Sequence, residues 1–259
     1  MDYKDFTGIS VVVDQAVATI TLLCRSEDGQ RQLLQHEDLS RIWRRLDADP
    51  DVKSVLITGT GDKEFYLSGK PPGSAEASWK GTLWLEREVQ SLVYEMINFN
   101  KPVVSAINGT ASGAGMAVAI MADISVIAED AILFDPHIML GISAGDGPGA
   151  LWPLFTGMAK AKLYLMTSDA LDGREADRIG LVSRAVPRAE LMKVAQDYAH
   201  RFARSPEVAM RFTKRGLNQW YKAAGLVSQD YSFALEALSF FSGEKKGAPH
   251  TDWPPRKVP

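Results

Sequence analysis

The sequence predicts an α/β fold, a right-handed coil of ββα units with a helical C-terminal region. Three observations predict it. Short apolar strands alternate with amphipathic helices through the first two thirds of the chain. Two strand-like runs at the N-terminus are joined by a tight connection. After about Pro187 only helical periodicity is left.

Taken in order, Ile9, Val11 and Val13 share one face of a strand, and after Asp14-Gln15 a second run follows over residues 17–22. In residues 36–48, Leu39, Ile42, Trp43 and Leu46 fall at helical spacing, and Asp49-Pro50 ends the helix. Residues 54–58 read as a short apolar strand and 59–62 as a loop. The stretch 65–70 reads as a loop. Residues 70–78, with Pro71, Pro72 and Gly73, read as a flexible one. A helix over 83–98 puts Leu85, Val89, Leu92, Val93 and Met96 on one side. Residues 103–107 form a buried strand, Asn108-Gly109 a turn, and Gly113-Ala114-Gly115 opens a helix running through Met121. Strands follow at 124–128 and 132–134. Leu191, Val194, Ala195, Tyr198, Ala199 and Phe202 mark a later helix, and 206–224 and 227–241 two more. The chain therefore divides into a core, residues 1–190, and a helical region, 191–259, whose Pro-rich end from 243 is expected to be poorly ordered.

Composition narrows the classes of function. Apolar residues make up 46% and charged residues 24% of 259, which suits a sizeable buried core. A net charge of −3 gives no electrostatic case for nucleic acid or an anionic membrane as partner. One cysteine, Cys24, cannot form an internal disulfide, so a reducing cytoplasm is the expected compartment. No signal-peptide core opens the chain, and the longest apolar stretch, near 116–122, is too short to span a bilayer.

Several motifs fail on inspection. Gly113 and Gly115 lack the third glycine of a dinucleotide fingerprint, because that position is Val118. Gly69-Lys70 is followed by Pro71, so it is no phosphate loop. No His/Cys cluster has metal spacing, and no serine sits in a nucleophile elbow. What is left is a small-residue turn at the start of a helix, where unpaired N–H groups and the positive dipole end can hold a developing oxyanion. The loop carrying Gly69 and Lys70 could supply the second donor.

The run Lys101-Pro102-Val103-Val104-Ser105-Ala106-Ile107-Asn108-Gly109, then Ser112-Gly113-Ala114-Gly115, then Ala122-Asp123-Ile124, resembles the central signature of the crotonase, or enoyl-CoA hydratase/isomerase, superfamily. Leu140-Gly141-Ile142, Ala170-Leu171-Asp172, Ile179-Gly180-Leu181-Val182 and Val186-Pro187 continue it in order. The resemblance implies a crotonase-type spiral, an oxyanion hole from the backbone N–H groups of Lys70 and Ala114, and substrate contacts at Gly69, Gly113 and Gly115. It also implies association through the helical region as a homotrimer or dimer of trimers. No separate cofactor follows from it; coenzyme A would enter as part of the substrate. Lys70 departs from the small apolar residue usual at its position.

Both catalytic glutamates of the hydratases are missing. Ala117 stands two residues after the Gly-rich turn, and His137 follows Pro136. The segments Asp135-Pro136-His137 and Gly145-Asp146-Gly147 resemble the β-diketone hydrolase branch of the superfamily, which includes 6-oxocamphor hydrolase. There a histidine pairs with an aspartate nine residues on, as His137 would with Asp146. That resemblance also implies roles for Glu236 and His36, while the branch's histidine near the Gly-rich turn is here Ala114. An imidazole with an ordinary pKa of roughly 6.5 serves as a general base near neutrality, and a carboxylate on its other nitrogen fixes its tautomer.

Plainer accounts stand beside these. His137 and Asp146 can be turn residues, Glu236 and Lys214 solvated helix residues, and His36 a helix-start residue. Gly113 and Gly115 can serve close packing, and Trp152 either the core or the pocket wall. Three functions remain open: an acyl-CoA enzyme of hydratase/isomerase type with a His–Asp acid/base pair, a CoA-independent β-diketone hydrolase, and a catalytically silent scaffold.

Overall fold

The computed structural model describes residues 1–23, 30–67 and 79–242. The N-terminal hairpin pairs β1 (Ile9–Asp14) with β2 (Val17–Leu22) antiparallel through a turn whose Gln15 and Ala16 both have positive φ. Helix α1 (Gln30–Ala48) buries Leu39, Ile42, Trp43 and Leu46, as the spacing predicts, and starts six residues earlier than the 36–48 reading.

The chain then winds between two sheets. Strand β3 (Ser54–Gly59) lies in the first and β4 (Glu64–Leu67) in the second, and α2 (Trp79–Asn98) returns. The next turn repeats this with β5 (Val103–Ile107), β6 (Thr110–Ser112) and α3 (Ala114–Met121). A third turn has β7 (Ile124–Ala128), β8 (Ile132–Phe134) and α4 (Pro148–Thr167). Strand β9 (Leu171–Asp172), α5 (Gly173–Arg178) and β10 (Arg184–Val186) complete the sheets. The six-stranded sheet has the order β1-β2-β3-β5-β7-β10 and the four-stranded one β4-β6-β8-β9, with parallel pairing between the matching strands of successive coil turns. These units are the predicted ββα coil.

Strand β4 lies where the sequence suggests a loop, and β6 lies between the 108–109 turn and the helix start, a stretch the sequence leaves unassigned. Both are very short, and β4 carries a register shift between Glu64 and Tyr66, so no period-two pattern can develop. The Asn108 side chain ties the corner: its Oδ1 accepts from the Gly59 N–H at 2.9 Å, and its Nδ2 donates to the Gly61 carbonyl at 2.7 Å. Helix α4 also escapes the sequence reading. Pro153 sits inside it, and Gly157 breaks it with φ 75° and ψ 161°, which interrupts the apolar period.

Helix α6 (Leu191–Ala203) buries Leu191, Ala195 and Ala199 across β3, β5 and β7 of the six-stranded sheet. Helix α7 (Glu207–Trp220) docks through Lys214, which is buried rather than solvated. Its ammonium donates to Asp123 Oδ2 at 2.8 Å and the Lys101 carbonyl at 2.9 Å, and it lies over the Phe99 ring. A π-helical turn, Tyr221–Leu226, leads into α8 (Val227–Ser239). Among the described residues no helix is long and apolar enough to cross a membrane. The tail from 243, and the 70–78 loop, lie outside the described residues.

Candidate active site

Three segments converge beside the first turn of α3. The first is the corner after β8. Asp135 and His137 flank Pro136, and the Asp135 carboxylate folds back over its own turn. Its Oδ1 accepts from the His137 backbone N–H at 3.2 Å, and its two oxygens lie 2.8 and 3.0 Å from His137 Nδ1. His137 then opens a short 3₁₀ turn, Ile138–Leu140, and its carbonyl accepts from the N–H groups of Leu140 and Ile142. Backbone and ring are thereby both pinned.

The second segment is the loop 141–147, which brings Asp146 Oδ1 to 3.3 Å from His137 Nε2. The third is α8, which places Glu236 Oε1 3.7 Å from the same nitrogen. The loop and α8 clasp each other. Gln229 Nε2 donates to the Gly145 carbonyl at 3.1 Å, and the Ser143 N–H donates to Ser239 Oγ at 3.2 Å. A Cβ at Gly145 would lie 2.5 Å from the Ser232 carbonyl oxygen and 2.6 Å from Glu236 Cβ, so the close approach of α8 requires glycine.

The carboxylate on the far ring nitrogen is thus Asp135, which sequence reasoning quoted only as part of a motif. Its signal was available, since an aspartate two residues before a histidine across a proline can fold back in this way. Asp146 and Glu236 instead face Nε2 together. His137 is 4% exposed and Glu236 2% exposed, so neither is a solvated turn or helix residue.

Charge distribution follows from burial and proximity. Burial pushes the His137 imidazolium towards losing its proton, but Asp135 and Asp146 outweigh it and hold the ring well above its ordinary value. Burial raises the Asp146 carboxyl, and the His137 charge outweighs that and keeps it below the usual range. Burial and the Asp146 charge together push Glu236 well above the usual carboxylate range. The neighbouring carboxylates therefore favour the cationic form of the ring, whereas the sequence alone suggests a neutral base. One ring nitrogen atom and two carboxylate oxygens, all within 4.8 Å of one another, have the spacing of a cation site. A metal there would have to displace the imidazole proton.

The α3 turn sits against this cluster. Gly113 has φ 55° and ψ −130°, a conformation that favours glycine. The Ala117 N–H is bonded to the Gly113 carbonyl at 3.1 Å, and the N–H groups before it, Ala114 among them, precede the helical ladder. A Cβ at Gly115 would lie 2.2 Å from the Tyr66 carbonyl oxygen, so Gly115 serves the packing of α3 on β4. Ala117 is fully buried, and its methyl would lie 3.5 Å from a Cβ at Gly147, the neighbour of Asp146. Gly69 and Lys70 lie outside the described residues.

His36, on α1, stacks tilted at 6.5 Å from Trp84, and its Nδ1 has no hydrogen-bond partner among the described residues. Burial pushes its pKa down against the charge of Asp146. It therefore borders the cluster. Trp152 is fully buried and packs on Tyr164 with centroids 5.8 Å apart, which makes its ring part of the apolar core rather than an exposed pocket wall.

Two sheets wound by a ββα coil, with a small-residue helix start beside a buried acid/base cluster, define an enzyme of the crotonase class. The chain matches the enoyl-CoA hydratase/isomerase family over residues 13–242 and belongs to it. Crotonyl-CoA hydratase of Syntrophomonas wolfei is 34% identical over 197 residues, covering 74% of this chain and 72% of that protein. A probable enoyl-CoA hydratase of Bacillus subtilis is 32% identical over 238 residues, covering 90% and 89%. A crystal structure of an enoyl-CoA hydratase/isomerase from Mycobacterium paratuberculosis shares 34% identity at TM-score 0.79, covering 92% of this chain and 95% of that one. A β-diketone hydrolase from the cyanobacterium Anabaena, bound to (S)-3-oxocyclohexyl acetic acid, has TM-score 0.82 at 22% identity, covering 91% and 95%, a likeness of fold.

Proposed function

We propose that this enzyme acts on an acyl-CoA thioester and moves the substrate proton with His137 and its carboxylates in place of two glutamates. The observation that carries this reading is the buried imidazole held by Asp135 and faced by Asp146 and Glu236, beside an alanine at position 117. The hydratases among its relatives support a thioester substrate. The thioester oxygen is held by the N–H groups of Ala114 and Lys70, in line with the resemblance. In hydration, anionic Asp146 takes a proton from the water whose oxygen joins the alkene carbon. Cationic His137 gives its proton to the neighbouring carbon as the enolate collapses. One water is consumed and the site regains its charges when the proton passes from Asp146 to His137. Self-association as a homotrimer or dimer of trimers and a cytoplasmic location complete the proposal.

One observation favours a second reading. Two carboxylates crowd a single ring nitrogen, an arrangement suited to holding a water for attack on a carbonyl. In that case water adds to one carbonyl of a β-diketone and the carbon–carbon bond breaks. Its electron pair passes into an enolate that is then protonated at carbon, with no CoA involved.

Calorimetric titration with CoA and a short acyl-CoA, together with turnover assays on crotonyl-CoA and cyclic 1,3-diones, separates them. Micromolar CoA affinity with thioester turnover is the expected result. Dione turnover without CoA affinity would replace the first reading by the second. His137→Ala should lower turnover by about 10²-fold or more in either case, and a loss of only a few-fold would remove His137 from the chemistry.

A further inference from the structure

The carboxylates of Asp135, Asp146 and Glu236 gather around one imidazole. Among the described residues, His137 is the only basic group in ion-pair contact with any of them. Two of their oxygens are left over. Glu236 is 2% exposed, and its Oε2 has no hydrogen-bond partner among the described residues. Asp146 Oδ1 lies 3.3 Å from His137 Nε2 without forming a hydrogen bond, so it stands off the N–H axis. Carboxylate oxygens buried in this way are costly unless a further positive charge meets them.

The geometry matches that of a bound metal. A tetrahedral zinc ion with arms of about 2.0–2.2 Å holds its ligand atoms about 3.3–3.6 Å apart. Asp146 Oδ1 and Glu236 Oε1 are 3.3 and 3.7 Å from His137 Nε2. The nitrogen and one oxygen of each carboxylate all lie within 4.8 Å of one another. Around such an ion a neighbouring ligand stands off the axis of the ring nitrogen, as Asp146 Oδ1 does. The opposite ring nitrogen has the partner typical of a metal-binding histidine. Asp135 holds Nδ1 at 2.8 and 3.0 Å through its two oxygens, which leaves Nε2 for the ion. Magnesium and calcium prefer oxygen ligands throughout, whereas an imidazole with two carboxylates suits zinc.

We infer that His137 Nε2, Asp146 and Glu236 form a binding site for zinc or a cation of its class, with one position left for water. The ion takes the place of the Nε2 proton. The site does not depend on the proposed function. Its consequence does: with His137 as the proton donor, the zinc-bound enzyme is the inactive form.

The test dialyses the enzyme against EDTA, then titrates it with zinc chloride by calorimetry and with cobalt chloride in the visible range. One zinc ion per chain at micromolar Kd or tighter is expected, with the d–d intensity of four-coordinate cobalt and no magnesium binding. The isosteric Asp146→Asn and Glu236→Gln should each weaken zinc by about tenfold or more, and Asp135→Asn by about 10–100-fold through the ring, all with the far-UV signature kept. His200→Ala, which removes a histidine outside the cluster, should leave the affinity unchanged. Binding weaker than millimolar overturns the inference, as does an affinity that survives both Asp146→Asn and Glu236→Gln. Loss of binding in His200→Ala overturns it too, because it would locate the ion elsewhere. Turnover should fall in step with zinc occupancy. Zinc bound with these dependences but without that fall upholds the site and counts against His137 as the proton donor.

Discussion

A single ring organises the charges of this site. His137 has one nitrogen committed to Asp135 and the other turned towards Asp146 and Glu236. Asp135 therefore orients the ring and, with Asp146, favours its charged form. An opposite charge this close raises an imidazole pKa. Because the folded value lies above the unfolded one, the stability the pair contributes is fully present below about pH 6.5. It is lost as pH rises through the raised folded value. With His137 as proton donor, kcat/KM should fall on the alkaline side through that same value. Asp135→Asn should move this limb to lower pH and cut kcat by about tenfold or more, through the wrong tautomer. A pH profile unchanged from wild type would show that Asp135 does not position the ring.

At the scale of elements, the site depends on how closely α8 approaches the loop 141–147. That approach exists because Gly145 has no side chain, and because Gln229 and Ser239 bond the loop from the helix. Gly145→Ala would force α8 and Glu236 outward. Overpacking of this kind costs about 1–3 kcal/mol, so denaturant unfolding should show a loss of that size together with reduced turnover. Wild-type stability and turnover in this variant would mean that the loop yields freely and that the helix does not set the position of Glu236. The same pair of elements shows what was legible locally. Glu236 on an apolar helix face and Asp146 in Gly-Asp-Gly are each ordinary in sequence, and their meeting is a property of the packing.

On the whole molecule, the coil buries its core between the two sheets and α6, while the last helices leave large apolar side chains outside. Val208, Phe212, Leu217 and Trp220 on α7 are 61–74% exposed, and Tyr231 and Leu238 on α8 are 67% and 68% exposed. The proposed self-association would cover these side chains. Light scattering at micromolar concentration should give a mass three or six times that of the chain. Phe212→Glu combined with Trp220→Glu should lower that mass without loss of the far-UV signature. A wild-type monomer would dismiss the proposed assembly.

The long helices, the buried strands and the order of the coil were readable because each repeats an apolar period over many residues, as in 36–48 or 103–107. The short strands β4 and β6 and the kinked α4 were not, since three or four residues, or a helix broken at Gly157, leave no period to count. By itself the sequence determined the fold class and the small-residue turn of α3, both of which depend on residues close together in the chain. Only the tertiary structure decided that Asp135 holds the ring, that Lys214 is buried on Asp123, and that Trp152 is core. Burial and charge proximity between distant segments govern hydrogen bonding and protonation, and no local pattern encodes which segments will meet.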